Sequence, residues 1–207
     1  MTRIYAGSAL ALVAAMLGVT LYLVLRGPGD DPFAGCRSAR IAGGMGAIGG
    51  PFTLINTEGR RVTEAEVITE PSILYFGYTF CPDVCPFDAA RNAEAVDILE
   101  AKGISATPIF ISIDPERDTP EVLADFVANM HPGMIALTGS AEEVRAASQA
   151  YRTYYQKQEG DPDYYLVDHS TFSYLVLPGH GVVEFFRRET TGAEMAEAVA
   201  CFVEASG

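Results

Sequence analysis

The stretch SILYFGYTFCPDVCPFDAARNAEAVDILEAKG, residues 72–103, carries the signals of a strand, a loop and a helix in succession. Residues 72–80 are apolar and rich in aromatic side chains, which is typical of a central strand. After the loop, apolar residues recur at helical spacing until Gly103. This spacing predicts a helix that begins at Pro86, with Cys85 as its N-cap. The stretch therefore predicts a buried strand that leads directly into a helix.

The sequence on either side of this stretch alternates strand and helix signals. Residues 51–63 have the pattern of a hairpin whose turn lies at Glu58 and Gly59. The later predicted elements are a strand at 107–114, a helix from Thr119-Pro120, a helix behind the capping box Ser140 to Glu143, two strands around the turn 178–181, and a closing helix at 192–207. This order predicts an α/β domain of thioredoxin-like type with an N-terminal hairpin.

The N-terminal residues 6–25, AGSALALVAAMLGVTLYLVL, contain no charged side chain and lie between Arg3 and Arg26. Twenty apolar residues are enough to cross the hydrocarbon region of a bilayer as a helix. A cleaved signal peptide is the alternative, but its apolar region would be shorter and would end at a cleavage site of small residues. We therefore predict that residues 1–26 are a membrane anchor consisting of one transmembrane helix.

A glycine-rich segment, residues 27–50, follows the predicted anchor. Its composition predicts a flexible tether with a root-mean-square length of roughly 25–30 Å. The tether would leave residues 51–207 as one globular domain close to a membrane, so we expect a membrane-associated partner. Cys36 in the tether could pair with Cys201 in the last helix outside the cytoplasm, or both could remain free thiols.

The charge of the chain argues against one class of partner. The formal net charge is −13 at pH 7, and the few cationic side chains are scattered. A surface that follows the phosphates of DNA or RNA would have to work against this overall field. Nucleic acid is therefore not an expected partner.

The loop CPDVCP places two cysteines, Cys81 and Cys85, between the predicted strand and helix. The proline after each cysteine disfavours the α-helical conformation at that cysteine, so both thiols are expected to face one loop. The N-terminal end of the helix should favour a thiolate at Cys85 and lower its pKa. Two thiolates select soft or borderline metals such as Cu(I) and Zn(II), and the same pair could instead cycle between dithiol and disulfide.

Three histidines are available as a further ligand. His131 precedes a proline at a predicted helix end, and His180 lies in the turn PGHG, so both are expected to be solvated cap or turn residues. His169 lies between two predicted strands, where a thioredoxin-like fold would bring a loop opposite the cysteine loop. From the residues alone, a structural role and a ligand role for His169 are equally well supported.

Three motifs occur in order along the chain: YFGYTFCPDVCP at 75–86, ISIDPERDTPE at 111–121 and VDHSTFSYLV at 167–176. In sequence, order and approximate spacing they resemble the Sco/SenC family of copper-binding assembly factors for cytochrome c oxidase. The resemblance extends from about Pro51 to the C-terminal helix. It departs from the family pattern at Phe80, because many members have a histidine directly before the first motif cysteine.

The resemblance implies that copper is held by Cys81, Cys85 and His169. It also implies a single-pass protein of the inner (cytoplasmic) membrane, with the globular domain in the periplasm. The implied partner is the copper-bearing subunit of cytochrome c oxidase. Two thiolates and an imidazole agree with the ligand preferences of copper, so we expect a copper metallochaperone.

An alternative function uses the same two cysteines. The chain could be a periplasmic thiol–disulfide oxidoreductase or a redox sensor, with Cys81 and Cys85 as the attacking and resolving thiols. Three residues separate the two cysteines, whereas thioredoxins have two, and this spacing argues against a dedicated thioredoxin-type enzyme. Metal binding and thiol reduction can coexist in one protein.

Several other residues have weaker signals. Asp114, in the second motif, could help to dock a partner or tune the site, or could only cap a turn, and both interpretations remain open. Asp83 in the cysteine loop is expected to be a solvated acid. Met130 and Met195 have the spacing of helical core residues, so a methionine-rich copper site is not predicted.

Overall fold

The computed structural model describes residues 12–22, 31–37, 44–161 and 164–207. The chain divides into two compact units, Met1–Gly35 and Cys36–Gly207. The predicted strand, cysteine loop and helix all lie in the second unit.

In the first unit, residues 12–22 are helical and their side chains are exposed. The predicted span at 6–25 continues on both sides into residues outside the described ones. Within the described ranges, no helix has both the length and the apolar character that crossing a bilayer requires. The anchor at 1–26 therefore stays a prediction.

The second unit is a mixed α/β domain. Its strands in the described residues are β1 (Thr53–Asn56), β2 (Arg61–Thr63), β3 (Ser72–Gly77), β4 (Thr107–Ser112), β5 (Ile135–Thr138), β6 (Tyr155–Lys157), β7 (Val167–His169), β8 (Ser173–Leu177) and β9 (Gly181–Phe186). Its helices there are α1 (Glu64–Val67), α2 (Val84–Ala101), α3 (Pro120–Met130), α4 (Ala141–Ala150) and α5 (Gly192–Ser206), with a 3₁₀ turn at Met45–Ala47.

The main sheet has the strand order β2-β1-β5-β4-β3-β8-β9. The central strands β3, β4 and β5 are parallel, and β8 and β9 continue the sheet as an antiparallel hairpin. All six residues of β3 are buried. A strand that is covered on both faces has a continuous apolar sequence, and this explains why residues 72–77 lack the alternation of an exposed strand. The predicted central strand is confirmed, although it ends at Gly77 rather than at residue 80.

Most of the other predicted elements are confirmed, and their local chemistry accounts for them. The hairpin β1–β2 turns at Gly59, whose φ of +74° lies in the left-handed region that favours glycine. The predicted box at the start of α4 is present, because the Ser140 hydroxyl accepts the Glu143 N–H and the Glu143 carboxylate accepts the Ser140 N–H. Thr119 caps α3 with its hydroxyl, which accepts the Val122 N–H, and Pro120 lies in the first turn.

The sequence analysis missed β5, α1 and the two-stranded sheet formed by β6 and β7. Three-residue strands are too short to show an alternating pattern, so periodicity could not reveal β6 and β7. Their pairing opposes Tyr155 to His169. His169 is therefore the last residue of a short strand, whereas the sequence analysis placed it in a loop between strands.

The burial of two histidines and two methionines can be compared with the roles predicted for them. His131 caps the end of α3 but is buried, and its Nδ1 accepts the Gly133 N–H, so the expectation of a solvated residue is wrong. His180 is exposed in the β8–β9 turn as predicted. Met195 is fully buried on α5, and Met130 is partly buried against the core, which agrees with their predicted packing role.

The compact domain begins at Cys36, upstream of the predicted boundary at residue 51. Cys36 forms a disulfide with Cys201 in α5, which settles the pairing that the sequence left open. Met45 is buried, and the Gly49 N–H donates to the Ala150 carbonyl. The described part of the predicted flexible tether that follows Cys36 thus includes residues packed as part of the domain.

Candidate metal centre

The structure brings together the three residues predicted as metal ligands. The Sγ atoms of Cys81 and Cys85 and a ring nitrogen of His169 all lie within 4.8 Å of one another. Cys81 comes from the loop after β3, Cys85 from the first turn of α2, and His169 from the end of β7. Neither cysteine is in a disulfide. Three soft or borderline donor atoms therefore converge at one point.

The start of α2 differs from the prediction. Asp83 is the N-cap and helical residues begin at Val84, so Cys85 is the second helical residue rather than the cap. Pro86 falls in the first turn, where the N–H that proline lacks would have no partner within the helix. Asp83 is exposed, as expected, and its side chain makes no capping hydrogen bond.

Because the helix begins two residues earlier than predicted, the lowered pKa belongs to Cys81 rather than to Cys85. Burial tends to raise the pKa of Cys81, but hydrogen bonds from the backbone of Asp83, Cys85 and Val84 outweigh it and lower the pKa. The Cys85 N–H donates to the Cys81 Sγ at 3.5 Å. The N-terminal amides of α2 therefore stabilise a thiolate at Cys81.

The pKa of Cys85 changes in the opposite direction. Its side chain is fully buried, and burial, reinforced by the neighbouring charge of Cys81, raises its pKa. The prediction of a low-pKa thiolate at Cys85 is wrong, because the side chain of the second helical residue points into the core rather than along the helix end. We therefore expect Cys81 to be the more reactive thiol and Cys85 the more protected one.

His169 is held in one orientation. Its Nδ1 bonds to the Ser170 carbonyl at 2.8 Å, and a carbonyl oxygen can only accept, so Nδ1 carries the proton. The other nitrogen, Nε2, lies 3.3 Å from the Cys85 Sγ. The rings of Tyr75 and Tyr78 contact the imidazole edge-on. Burial lowers the pKa of His169, which keeps the imidazole neutral and its Nε2 lone pair available to a metal.

Gly77 and Asp88 also shape the site, although the sequence analysis gave them no functional role. A Cβ atom at Gly77 would lie 3.0 Å from the Cys85 Sγ and 2.7 Å from the Tyr75 ring. The Tyr75 hydroxyl, 3.9 Å from the Cys85 Sγ, donates to the Asp88 carboxylate at 2.9 Å. A glycine inside an apolar strand is a signal of close approach, and it could have identified Gly77 from the sequence.

Asp114 is buried, and its carboxylate accepts the Tyr165 hydroxyl at 2.6 Å. Its carbonyl accepts the Asp118 N–H, so Asp114 forms the predicted turn, and its side chain in addition makes contacts within the domain. Tyr165 lies four residues before His169 in the chain. Asp114 therefore connects the second sequence motif to the segment that leads into the third.

The donor set fits a soft metal ion. Two thiolates and one neutral imidazole are ligands for which copper has a high affinity. Oxygen-preferring ions such as Mg²⁺ or Ca²⁺ would find no carboxylate in this group of three residues.

Comparison with known proteins identifies the family. The family model described as SCO1/SenC matches residues 42–204, which is most of the chain. The chain belongs to the SCO1/SenC family. The resemblance predicted from the three motifs is thus confirmed, and the matched region includes all three candidate ligands.

Members of the SCO1/SenC family are similar to this chain over most of its length. Protein SenC of Rhodobacter capsulatus is 47% identical over 199 residues, which cover 96% of this chain and 89% of that protein. The crystal structure of Arabidopsis thaliana ScoI with copper bound has a TM-score of 0.72 and 42% identity, and the match covers 76% of this chain and 99% of that one.

A third member, BsSco, is described as belonging to the Sco family of cytochrome c oxidase assembly proteins, and a disulfide switch was identified in it. It is 27% identical with a TM-score of 0.58, and the match covers 76% of this chain and 92% of that one. The predicted thioredoxin-like α/β fold of the domain is confirmed by these SCO1/SenC structures and by the order of strands and helices.

Proposed function

We propose that this chain binds copper through Cys81, Cys85 and His169 and delivers it to the copper-bearing subunit of cytochrome c oxidase. The observation that carries the proposal is the convergence of the two sulfur atoms and the imidazole nitrogen within 4.8 Å. The copper-bound structure of the related ScoI and the description of BsSco as a cytochrome c oxidase assembly protein support it.

The three ligands have different roles in this proposal. The two thiolates suit Cu(I), and the imidazole adds a nitrogen donor that favours Cu(II). Binding requires loss of the thiol protons, and Cys81 loses its proton more readily than Cys85 because the amides of α2 stabilise its thiolate. Copper therefore binds first at Cys81, the less buried of the two cysteines, and is then enclosed by Cys85 and His169.

The proposal includes a location. We infer that residues 6–25 anchor the chain in the inner membrane and that the domain lies in the periplasm. The disulfide between Cys36 and Cys201 supports an oxidising compartment, because thiols in the cytoplasm are kept reduced. Membrane fractions washed with alkaline carbonate should retain the full-length chain. Its appearance in the soluble fraction would contradict the anchor.

A second function, thiol–disulfide exchange, is favoured by the difference between the two cysteines. Cys81 has a lowered pKa and Cys85 a raised one. An attacking thiolate next to a protected thiol is the arrangement of a redox pair. Such a pair could reduce the cysteines of a copper acceptor before copper is transferred.

The variant His169→Ala tests the first function against the second. It leaves both thiols in place, so thiol–disulfide exchange should continue, whereas Cu(II) binding should be abolished and oxidase assembly impaired. Cys81→Ser or Cys85→Ser should abolish the binding of both copper states. The exposed His180, changed to Ala, is the matched control. Parent-like binding of both copper states by His169→Ala, together with normal oxidase assembly, would show that this copper site is wrong.

A further inference from the structure

The loop between β4 and α3, residues 113–119, contains three charged side chains that are largely buried. Asp118 is fully buried, Asp114 is 4% exposed, and the side chain of Arg117 is 12% exposed. Buried charges require partners. Besides Ser112 and the pair that Asp114 and Arg117 form with each other, their side-chain partners lie in two parts of the chain that carry the candidate ligands. We name these the Cys81 segment (residues 78–85) and the His169 segment (residues 165–169).

Asp118 contacts the Cys81 segment. Its carboxylate accepts the Thr79 N–H at 3.1 Å and the Thr79 hydroxyl at 2.5 Å. It also accepts the Ser112 hydroxyl at 2.6 Å, from the end of β4. Thr79 lies two residues before Cys81. Asp118 thus fixes the chain that leads into the cysteine loop.

Asp114 contacts the His169 segment and holds Arg117. One carboxylate oxygen accepts the Tyr165 hydroxyl, and the other accepts Nε of Arg117, both at 2.6 Å. The guanidinium carbon of Arg117 lies 3.6 Å from the centre of the Tyr165 ring. At this distance the guanidinium packs directly on the aromatic ring.

Arg117 contacts both segments. Besides Tyr165, its guanidinium lies 4.7 Å from the ring centre of Phe80 and 5.8 Å from that of Tyr78. The Tyr78 hydroxyl accepts the Val167 N–H at 3.2 Å, so the two segments also bond to each other at this point. Val167 lies two residues before His169, and the Tyr78 ring touches the imidazole.

We propose that Arg117 is a positioning residue for the metal centre, which holds the His169 segment against the Cys81 segment and so fixes His169 Nε2 relative to the two sulfur atoms. Its planar guanidinium packs against aromatic rings of both segments while it bonds to Asp114. The guanidinium carbon lies within 5.8 Å of the ring centres of Tyr78, Phe80 and Tyr165. The copper part of the test rests on the proposed function, whereas the positioning itself can be measured in the metal-free protein.

The expected effect is selective for one ligand. Cys81 and Cys85 are joined by their own loop and by the Cys85 N–H, so their relative position does not depend on Arg117. His169 belongs to a different strand and is placed by contacts that include those with Tyr75, Tyr78 and Ser170. Loss of Arg117 should therefore displace the nitrogen donor and leave the dithiol intact. Cu(II) binding should weaken while Cu(I) binding is retained.

The test compares full-length Arg117→Met with Lys157→Met as the matched control. The Lys157 ammonium also lies over the Tyr165 ring, at 3.7 Å, but its side chain is half exposed and its salt bridge is with exposed Glu116. In Arg117→Met, the Val167 amide should exchange with solvent about tenfold faster in the metal-free protein. Cu(II) affinity should fall about tenfold relative to Cu(I). The control should match the parent in both measurements.

The outcomes separate the positioning from the proposed function. Parent-like Val167 exchange together with a parent-like ratio of Cu(II) to Cu(I) affinity in Arg117→Met would overturn the positioning role. An equal loss of both copper states would also overturn it. Should Arg117→Met not fold, Arg117→Lys decides, since it keeps a cation beside Asp114 without the planar group, and parent-like values there overturn the proposal. A parent that binds no copper refutes the proposed function, while faster Val167 exchange in the variant still supports the positioning.

Discussion

The two halves of the metal centre are built by different kinds of contact. The thiol half, Cys81 and Cys85, lies within five consecutive residues and is organised by the first amides of α2. The imidazole half, His169, is more than eighty residues away in the chain and is held by contacts with Tyr75 and Tyr78. A local half survives small changes elsewhere in the domain, whereas a half assembled from distant segments depends on every contact between them. Sulfur and nitrogen ligation should therefore respond separately to mutation.

The largest expected effect is the difference in reactivity within the thiol half. In the reduced, metal-free protein at pH 7, Cys81 should be alkylated about a hundredfold faster than Cys85, because its pKa is lowered and Cys85 is fully buried with a raised pKa. As pH falls through the lowered pKa of Cys81, its rate should fall. Peptide mass spectrometry of timed iodoacetamide reactions measures both rates.

Unfolding provides the control for this difference. In urea the hydrogen bonds from the α2 amides are lost, so the two cysteines should react at similar rates. Equal rates in the folded protein would show that the amides of α2 do not distinguish the two thiols.

The second-largest expected effect comes from a substitution in β3 that displaces a ligand of the thiol half. Gly77→Ala should destabilise the domain by about 2 kcal/mol, because the new methyl group would overlap the Tyr75 ring and press on the Cys85 sulfur. Both copper states should bind more weakly, since a thiol ligand is displaced. Urea unfolding and copper titration measure the two consequences.

Gly160→Ala is the matched control, because no atom lies within 4 Å of the added Cβ there. Its stability should stay within about 0.5 kcal/mol of the parent. Parent-like stability and copper binding in Gly77→Ala would mean that Cys85 tolerates movement and that the thiol half is less rigid than the contacts indicate.

The smallest expected effect comes from removing one hydrogen bond that helps to hold the imidazole half. Tyr78→Phe keeps the ring beside His169 but removes the hydroxyl that accepts the Val167 N–H. The loss should cost about 1 kcal/mol of stability. Cu(II) affinity should fall about fivefold with Cu(I) affinity unchanged. Tyr154→Phe, which removes an exposed hydroxyl bonded to Gln156, should change neither quantity. Equal weakening of both copper states by Tyr78→Phe would contradict the independence of the two halves.

The same division explains what could be predicted from the sequence. The order of the main strands and helices and the cysteine loop follow from local signals: the apolar run of β3, the glycine turn of the hairpin and the capping boxes. The pKa of Cys85 was mispredicted because its direction depends on where the helix begins to within two residues. Sequence signals locate helix ends less accurately than that.

Long-range contacts of the imidazole half left no local signal. Nothing in residues 155–157 or 167–169 alone indicates that they pair, and the family resemblance, not the spacing, selected His169 as a ligand. Arg117 belongs to a charged run, PERD, which resembles a solvated turn. Only the fold shows that its guanidinium packs between aromatic rings of two distant segments.

The disulfide between Cys36 and Cys201 shortens the chain that joins the domain to the proposed anchor. With residues 6–25 as the proposed anchor, the chain is joined covalently to α5 at Cys36, so only residues 27–36 separate the membrane from the domain. Even fully extended, ten residues span at most about 35 Å, compared with roughly 84 Å for the 24 residues of 27–50. The disulfide therefore more than halves the greatest distance that the domain can reach from the proposed anchor. A pull on the anchor would reach the last helix through Cys36 and Cys201, in parallel with the backbone that leads to the hairpin.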